Sequence, residues 1–177
     1  MGMPSVIVTF REKGITAIER SQRGAIAMIV KDAAVTEPFT VYTTGDIPSK
    51  LHADNKEQIE LALMGYQTAP KKVLVFPKKD VADLADTLKL LETIKFDYLV
   101  IPGIAEEQTQ QVATWIKTMR TTKDTMVKAV LPNCKADNEG VINFTNSVIK
   151  TKTKTYTTAQ YCARIAGIIC GTPMRIS

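Results

Sequence analysis

Cys134 and His52 are the two residues whose side chains could combine in nucleophilic chemistry. A thiol becomes a catalytic nucleophile when a base such as histidine lies beside it, and His52 is the single histidine of the chain. Cys134 follows a predicted strand, whereas His52 lies in a polar stretch before a predicted helix. Nothing in the sequence places the two together, so we predict a structural role for Cys134.

Two groups of carboxylates could serve acid–base or metal chemistry. Asp80, Asp83 and Asp86 are spaced i, i+3, i+6 on one side of a predicted helix, but they lack the spacing of a metal-binding loop. Glu106 and Glu107 are adjacent and point in different directions at a predicted helix start, where negative side chains favour the helix dipole. We therefore expect neither a catalytic pair nor a metal site.

The turns after three predicted strands are poor in glycine, although a parallel sheet usually holds its ligand there. They are Pro77-Lys78-Lys79, Pro102-Gly103-Ile104 and Pro132-Asn133-Cys134. Each proline removes an amide donor from a place where an anion would need one. The chain contains neither GxGxxG nor GxxxxGK[ST], so we expect no nucleotide or other cofactor.

The segment Gly171-Thr172-Pro173-Met174 resembles the Gly-Thr-Ser-Met element that carries the nucleophilic serine of subtilisin-like proteases. Pro173 stands at the serine position and has no hydroxyl group to activate. A predicted helix also precedes this element here, whereas in the proteases the element precedes the helix. An active protease is therefore excluded, and we expect that the chain is not an enzyme.

Apolar strands alternate with amphipathic helices along most of the chain. This alternation predicts βαβ crossovers and an α/β fold with a mainly parallel sheet flanked by helices. The predicted strands are residues 6–10, 24–30, 39–43, 73–76, 98–101, 126–131 and 141–144. The predicted helices are residues 54–65, 80–92, 106–120 and 158–170, the first with Asp54 as its N-cap and the last with an apolar side of Tyr161, Ile165 and Ile168.

The N-terminal strand, residues 6–10, has no evident partner in its own chain and needs a sheet edge to pair with. We interpret residues 1 to about 50 as an extension with strands that dock on the α/β part, without an obvious boundary between domains.

Composition and charge narrow the function classes. Hydrophobic residues make up 45% and charged residues 23% of the 177 residues, which indicates a globular protein. No apolar run is long enough to span a membrane, and the spacing of Cys162 and Cys170 in one helix predicts buried free thiols rather than a disulfide. The net charge of +5 comes from dispersed lysines without interleaved aromatic residues, so we expect no nucleic-acid partner.

An ordered set of segments across the whole chain resembles the tail sheath proteins of contractile phages, in particular the short-sheath branch of Gram-positive prophages and phage-tail-like bacteriocins. The segments are Met3 to Phe10, Glu19-Arg20-Ser21-Gln22-Arg23-Gly24, Ile26 to Asp32, Asn55-Lys56-Glu57, Leu61 to Gly65, Pro70 to Val75, Lys128 to Leu131, Glu139 to Phe144 and Arg164 to Pro173.

The resemblance implies a structural subunit with a subtilisin-like topology that lacks catalytic residues. Such subunits surround a tail tube, assemble in an extended state and contract to drive the tube through a target envelope. It implies as partners other sheath subunits, the tail tube protein and the baseplate. It also implies a location in a virion tail or bacteriocin particle that is made in the bacterial cytoplasm.

The resemblance further implies an N-terminal arm, residues 1–13, and a sheath core, residues 14–177. Within the arm, Ser5, Val6, Ile7, Val8, Thr9 and Phe10 would form a subunit interface by adding a strand to the sheet of a neighbouring subunit. The family continues well past the Gly-Thr-Pro element, so we expect the core to be incomplete at its C-terminus. The alternatives are a small α/β ligand-binding module or enzyme and a basic nucleic-acid-binding protein.

Overall fold

The strand β1 (Ala25–Lys31) lies at the centre of the fold. The computed structural model describes residues 24–81 and 83–172. In it, β1 pairs in parallel with β3 (Lys72–Lys78) on one side and β4 (Tyr98–Val100) on the other. The proposed division near residue 50 is therefore wrong, because β1 is a central strand of the α/β sheet and not part of a docked extension.

In the described part of the chain, three further strands bring the sheet to six: β2 (Phe39–Val41), β5 (Lys128–Pro132) and β6 (Val141–Phe144). The order is β2-β3-β1-β4-β5-β6, with β2 antiparallel to β3 and every other pair parallel. The parallel strands alone follow the order 2-1-3-4-5, one of the two common doubly wound orders.

Helices cover both faces of the sheet. α1 (Ala53–Leu63) and α4 (Thr158–Cys170) pack on one face, and α2 (Ala85–Leu91) and α3 (Glu106–Thr122) pack on the other. Because both faces are covered, β1 is apolar without alternation from Ala25 to Val30, and only Lys31 at its end is charged and exposed. The predicted α/β class with a mainly parallel, helix-flanked sheet is confirmed, whereas the subtilisin-like topology remains an implication of the resemblance.

Sequence patterns did not predict a small second sheet and a 3-10 turn. The strands β7 (Ile149–Lys150) and β8 (Thr155–Tyr156) form an antiparallel hairpin just before α4. The 3-10 turn is Thr44–Asp46, after β2. Strands of two residues carry too little periodicity to be recognised in a sequence.

Helix α2 begins five residues later than the predicted start at residue 80. The carboxylate of Asp83 accepts the amide hydrogen of Ala85 at 3.1 Å, and the ammonium group of Lys78 donates to the carbonyl oxygen of Asp83 at 2.6 Å. These local hydrogen bonds compete with the helical ones and delay the first turn.

The N-cap of α1 is His52 and not the predicted Asp54. Nδ1 of His52 accepts the amide hydrogen of Asp54 at 3.3 Å, and Asp54 lies in the first turn. Histidine is an uncommon cap, so the sequence favoured the aspartate two residues later.

The buried side of α4 is also different from the prediction. It consists of the small residues Cys162, Ala163, Ala166, Gly167 and Cys170, whereas the predicted apolar side of Tyr161, Ile165 and Ile168 is only half-buried. The reason is close packing: a Cβ atom on Gly167 would lie 2.2 Å from the carbonyl oxygen of Ala62 in α1. At so short a distance only small side chains fit between two helices.

Candidate functional site

Asp32 lies directly after β1, at the carboxyl end of the sheet where an α/β protein usually binds its ligand. The residue is buried. Its carboxylate accepts the amide hydrogens of Ala34, Val35 and His52 at 2.8, 3.1 and 2.9 Å. It also accepts a hydrogen bond from the side-chain amide of Asn55 at 2.9 Å. Four donors thus converge on one carboxylate.

These contacts keep the Asp32 carboxylate ionised and occupy its hydrogen-bond acceptor positions. Burial alone would raise the pKa of Asp32, but the hydrogen bonds from His52, Asn55, Ala34 and Val35 together lower it. A carboxylate that accepts four hydrogen bonds has no lone pair left for a substrate or a metal ion. Asp32 therefore fixes the loop after β1 against the start of α1.

Sequence reasoning missed Asp32, although a usable signal was present. The signal is the position of Asp32 directly after an apolar strand, but the apolar run of residues 24–30 does not by itself show that β1 belongs to the parallel sheet. Asn55 carries no signal of its own, since its role depends on where α1 begins.

His52 and Cys134 do not meet. Cys134 is 1% exposed in the core between the sheet and the helices α2 and α3. Its Sγ lies 3.8 Å from the carbonyl oxygen of Thr109, to which the thiol donates. His52 begins α1 on the opposite face, and its side chain is 67% exposed. The prediction of a structural role for Cys134 agrees with this arrangement.

The three cysteines are free and buried, as predicted. Burial raises the pKa of the Cys162 thiol to about 12, and burial together with the charge on Asp97 raises that of Cys170 as well. A thiol whose pKa is raised in this way is protonated at neutral pH and is a poor nucleophile.

The predicted carboxylate row on α2 does not form. Asp80 lies before the helix and is 3.9 Å from the ammonium group of Lys31, and Asp83 forms the turn described above. Only Asp86 belongs to the helix, whereas Glu106 and Glu107 occupy the first turn of α3, as predicted. Among residues 24–81 and 83–172, no three His, Cys, Asp or Glu side chains are grouped to hold a metal ion.

Two of the three prolines assigned to turns lie inside strands. Pro77 is in β3 and Pro132 ends β5, so only Pro102 follows its strand. Pro77 is tolerated because β2 pairs only with Val73, Leu74 and Val75. At Pro77, β1 is therefore the only described strand that pairs with β3.

Gly171 and Thr172, the described residues of the Gly-Thr-Pro element, lie at the other end of the sheet from Asp32 and His52. Thr68 donates its amide hydrogen to the carbonyl oxygen of Gly171 at 3.2 Å, and a Cβ on Gly24, just before β1, would lie 2.5 Å from Cβ of Cys170. Eight residues of extended chain separate Gly24 from Asp32, roughly 25 Å at 3.3 Å per residue. A protease-like site is therefore not assembled from these two elements, and Pro173 itself lies outside the described residues.

The hairpin β7–β8 is anchored to α1 through Glu57, a contact that the sequence did not predict. Tyr156 donates its hydroxyl hydrogen to Oε1 of Glu57 at 2.6 Å, and Lys154 forms an ion pair with the same carboxylate. The hydrogen bond from Lys154, followed by that from Tyr156, lowers the pKa of Glu57. One member of the lysine cluster Lys150/Lys152/Lys154 thus serves an internal contact.

The sheet has two edges in the described part of the chain. β2 has three residues, and β6 has four, of which Asn143 is exposed and the others are half-buried. No described strand pairs with the outer side of either edge, so their backbone groups on that side can accept an additional strand.

Comparison with known proteins identifies the family. Residues 78–177 match the family model described as the phage tail sheath protein central domain. A curated tail sheath protein of Clostridium phage phiCD119 is 35% identical over 178 residues, which cover 97% of this chain and 49% of the relative. The chain belongs to the phage tail sheath family. It spans about half of the length of that curated relative.

Solved structures agree with the sheath fold. A sheath tail protein from Desulfitobacterium hafniense matches with a TM-score of 0.68 and 14% identity, covering 94% of this chain and 62% of that one. A sheath tail protein from Listeria innocua matches with a TM-score of 0.68 and 16% identity, covering 86% of this chain and 58% of that one. At these identities the likeness shows the fold alone.

The sheath interface expected from the sequence, Ser5 to Phe10, lies outside the described residues. Within the described ranges, none of the helices combines the length and the apolar character that crossing a membrane requires.

Proposed function

We propose that this chain is a structural subunit of the contractile sheath around the tail tube of a phage or a phage-tail-like bacteriocin. Membership of the tail sheath family carries the proposal. The subunits assemble around the tube in an extended state and contract to drive it through the target envelope.

Neighbouring subunits are joined through the N-terminal arm. Residues Ser5 to Phe10 add as a strand to a sheet edge of the next subunit, where main-chain hydrogen bonds supply affinity and alternate side chains supply specificity. Six residues extend about 20 Å, which is long enough to cover the four residues of β6 or the three of β2. Subunits linked in this way slide past one another without separating.

The other partners of the subunit are the tail tube protein and the baseplate, and the protein works without nucleic acid, membrane or cofactor. It is made in the bacterial cytoplasm and acts in the particle. It is not an enzyme: the Asp32 carboxylate is occupied by four internal hydrogen bonds, and Cys134 is buried away from His52. The free energy of contraction comes from the difference in stability between two packings of the same lattice of subunits.

Assembly of a longer polypeptide tests the role of the arm. We define the extended polypeptide as this chain joined at its carboxyl end to the part of the phiCD119 tail sheath protein outside the match. Negative-stain electron microscopy should show tubes for the extended polypeptide and few or none after deletion of residues 1–10.

A matched pair of substitutions tests whether the arm acts through main-chain hydrogen bonds or only through the character of its side chains. Val8→Pro removes an amide donor from the added strand and should shorten or abolish the tubes, whereas Val8→Thr keeps a β-branched side chain and should leave them. Tubes of normal length from both the deletion and Val8→Pro would refute strand addition by the arm.

A further inference from the structure

The exposed apolar side chains of the described residues are concentrated at one end of the sheet. Among residues 24–81 and 83–172, the large apolar residues that are exposed are Tyr42, Met64, Tyr66, Leu90, Met126 and Val148. All except Val148 lie at the amino end of the parallel strands, opposite the end where α/β proteins usually bind small ligands.

The connections of the fold place each of the five there. Tyr42 follows Val41, which pairs with Val73 near the start of β3. Met64 and Tyr66 follow α1 and precede β3, and Tyr66 donates its amide hydrogen to the carbonyl oxygen of Thr68 at 3.2 Å.

Leu90 and Met126 lie at the same end on the other side of the sheet. Leu90 is in the last turn of α2, in front of the loop that leads to β4, and Met126 comes two residues before β5. Met126 is 78% exposed. It borders a cavity of about 410 Å³ that is also lined by Ile94, Phe96 and Met119. The charged residues Glu92, Lys95 and Asp97 line it as well, so the cavity is only partly apolar. Its apolar part can accommodate an apolar side chain of a partner.

The chain also leaves the described fold at this end. The carbonyl oxygen of Gly171 accepts the amide hydrogen of Thr68 at 3.2 Å, so Thr172, the last described residue, lies near the loop that carries Met64 and Tyr66. About half of the curated relative lies outside the match. In the extended polypeptide, the added part therefore follows a segment that lies beside the loop with the exposed side chains of Met64 and Tyr66.

We propose that the amino-end surface, defined as Tyr42, Met64, Tyr66, Leu90 and Met126, is the docking surface for the part of a sheath polypeptide that lies outside the 178 matched residues. Exposed apolar side chains at one end of a fold, beside a partly apolar cavity, favour a protein interface there. The inference rests on the proposed sheath function and adds to it the location of a contact between the two halves of the subunit.

Oxidation of methionine by hydrogen peroxide, followed by peptide mass spectrometry, tests the docking. Met64 and Met126 are 63% and 78% exposed, whereas Met28 is fully buried and serves as the internal control. In this chain alone, Met64 and Met126 should oxidise about tenfold or more faster than Met28. In the extended polypeptide their rates should fall about fivefold or more, while Met28 stays slow. Equal rates for Met64 and Met126 in the two polypeptides would overturn the proposal.

Two further experiments test which partner covers the amino-end surface and which residues form it. Protection of Met64 and Met126 in this chain alone that grows with protein concentration would identify a second copy as the occupant and overturn our assignment. In the extended polypeptide, the double substitution of Tyr66→Lys and Met126→Lys should restore the oxidation of Met64. Val148→Lys, at the opposite end, should not, and equal effects of the two variants would count against the surface.

The docking and the proposed sheath function can fail independently of each other. Tubes that form while Met64 and Met126 stay reactive would overturn the docking alone. Protection without any tubes would support the docking and count against sheath assembly.

Discussion

Gly167 in α4 offers a sharp test of how closely the two helices on one face of the sheet must pack. A Cβ atom added at this position would lie 2.2 Å from the carbonyl oxygen and 3.0 Å from the carbonyl carbon of Ala62 in α1. These are backbone atoms, which cannot rotate away as a flexible side chain can. Gly167→Ala should therefore force α1 and α4 apart by about 1 Å, since a relaxed contact needs roughly 3.2 Å.

Two opposing effects set the size of the change. Alanine favours the helical conformation over glycine by about 1 kcal/mol, whereas overpacking a core costs about 1–3 kcal/mol and sometimes more. Because the clash is with rigid backbone, we take the upper end of that range. Offset by the gain of about 1 kcal/mol in helix propensity, an overpacking cost of about 3 kcal/mol lowers the free energy of unfolding by about 2 kcal/mol. For a domain of this size this corresponds to a decrease in Tm of roughly 4–8 °C.

Thermal and urea unfolding followed by circular dichroism measure this change. Gly45→Ala is the matched control, because the nearest atom to its added Cβ is Oγ1 of Thr43 at 3.6 Å. The control should change the free energy of unfolding by less than about 0.5 kcal/mol. A Gly167→Ala protein that is as stable as the wild type, or more stable by the helix-propensity term, would refute the close packing of α1 against α4.

Three further substitutions test single contacts. Gln58→Leu should leave the free energy of unfolding unchanged or raise it by about 1–2 kcal/mol, because Oε1 of the buried Gln58 has no hydrogen-bond partner among residues 24–81 and 83–172; a loss in urea unfolding would contradict this. Asp32→Asn should lower the free energy of unfolding by about 1–3 kcal/mol, since an amide cannot accept all four hydrogen bonds; unchanged unfolding would show that the network contributes nothing. Glu57→Gln tests the pH dependence, because hydrogen bonds from Lys154 and Tyr156 hold the pKa of Glu57 below its ordinary value of 4.5. The carboxylate therefore stabilises the fold above pH 4.5 and loses this effect as the pH falls through its lowered pKa. The stability difference between wild type and Glu57→Gln should be constant above about pH 5.5 and shrink in more acidic solution; a difference independent of pH would contradict the assignment.

Two elements were predicted with their observed bounds. They are β6, Val141–Phe144, and α4, Thr158–Cys170, of which α4 begins at a good N-cap. In α4, Thr157 and Gln160 form the reciprocal cap, with hydrogen bonds of 3.3 and 3.0 Å.

Sequence reasoning failed where tertiary contacts override local preference. The α4 pattern of Tyr161, Ile165 and Ile168 favoured the large apolar side, but contact with α1 selects the small residues instead. The role of Asp32 was hidden for a similar reason, because its four donors come together only when β1 and α1 are adjacent. The hairpin β7–β8 depends on Glu57, about one hundred residues away.

The candidate catalytic residues could be judged partly from sequence. The sequence alone shows that Pro173, at the position of the serine, lacks the hydroxyl group that protease chemistry needs. The separation of Cys134 from His52 could be seen only in the fold. Cys134 follows β5 and His52 precedes α1, so both lie near the carboxyl end of the sheet, and only the packing places them on opposite faces. The exposed apolar residues at the amino end carry no motif, and only the topology groups them.

Cryo-electron microscopy of the extended polypeptide assembled with a tail tube tests the central claim most directly. We expect a regular helical sheath in which the sheet of each subunit has one additional strand, contributed by residues Ser5 to Phe10 of a neighbour. Subunits that remain monomeric in the presence of the tube, or a helical lattice in which no strand crosses between subunits, would contradict the proposal.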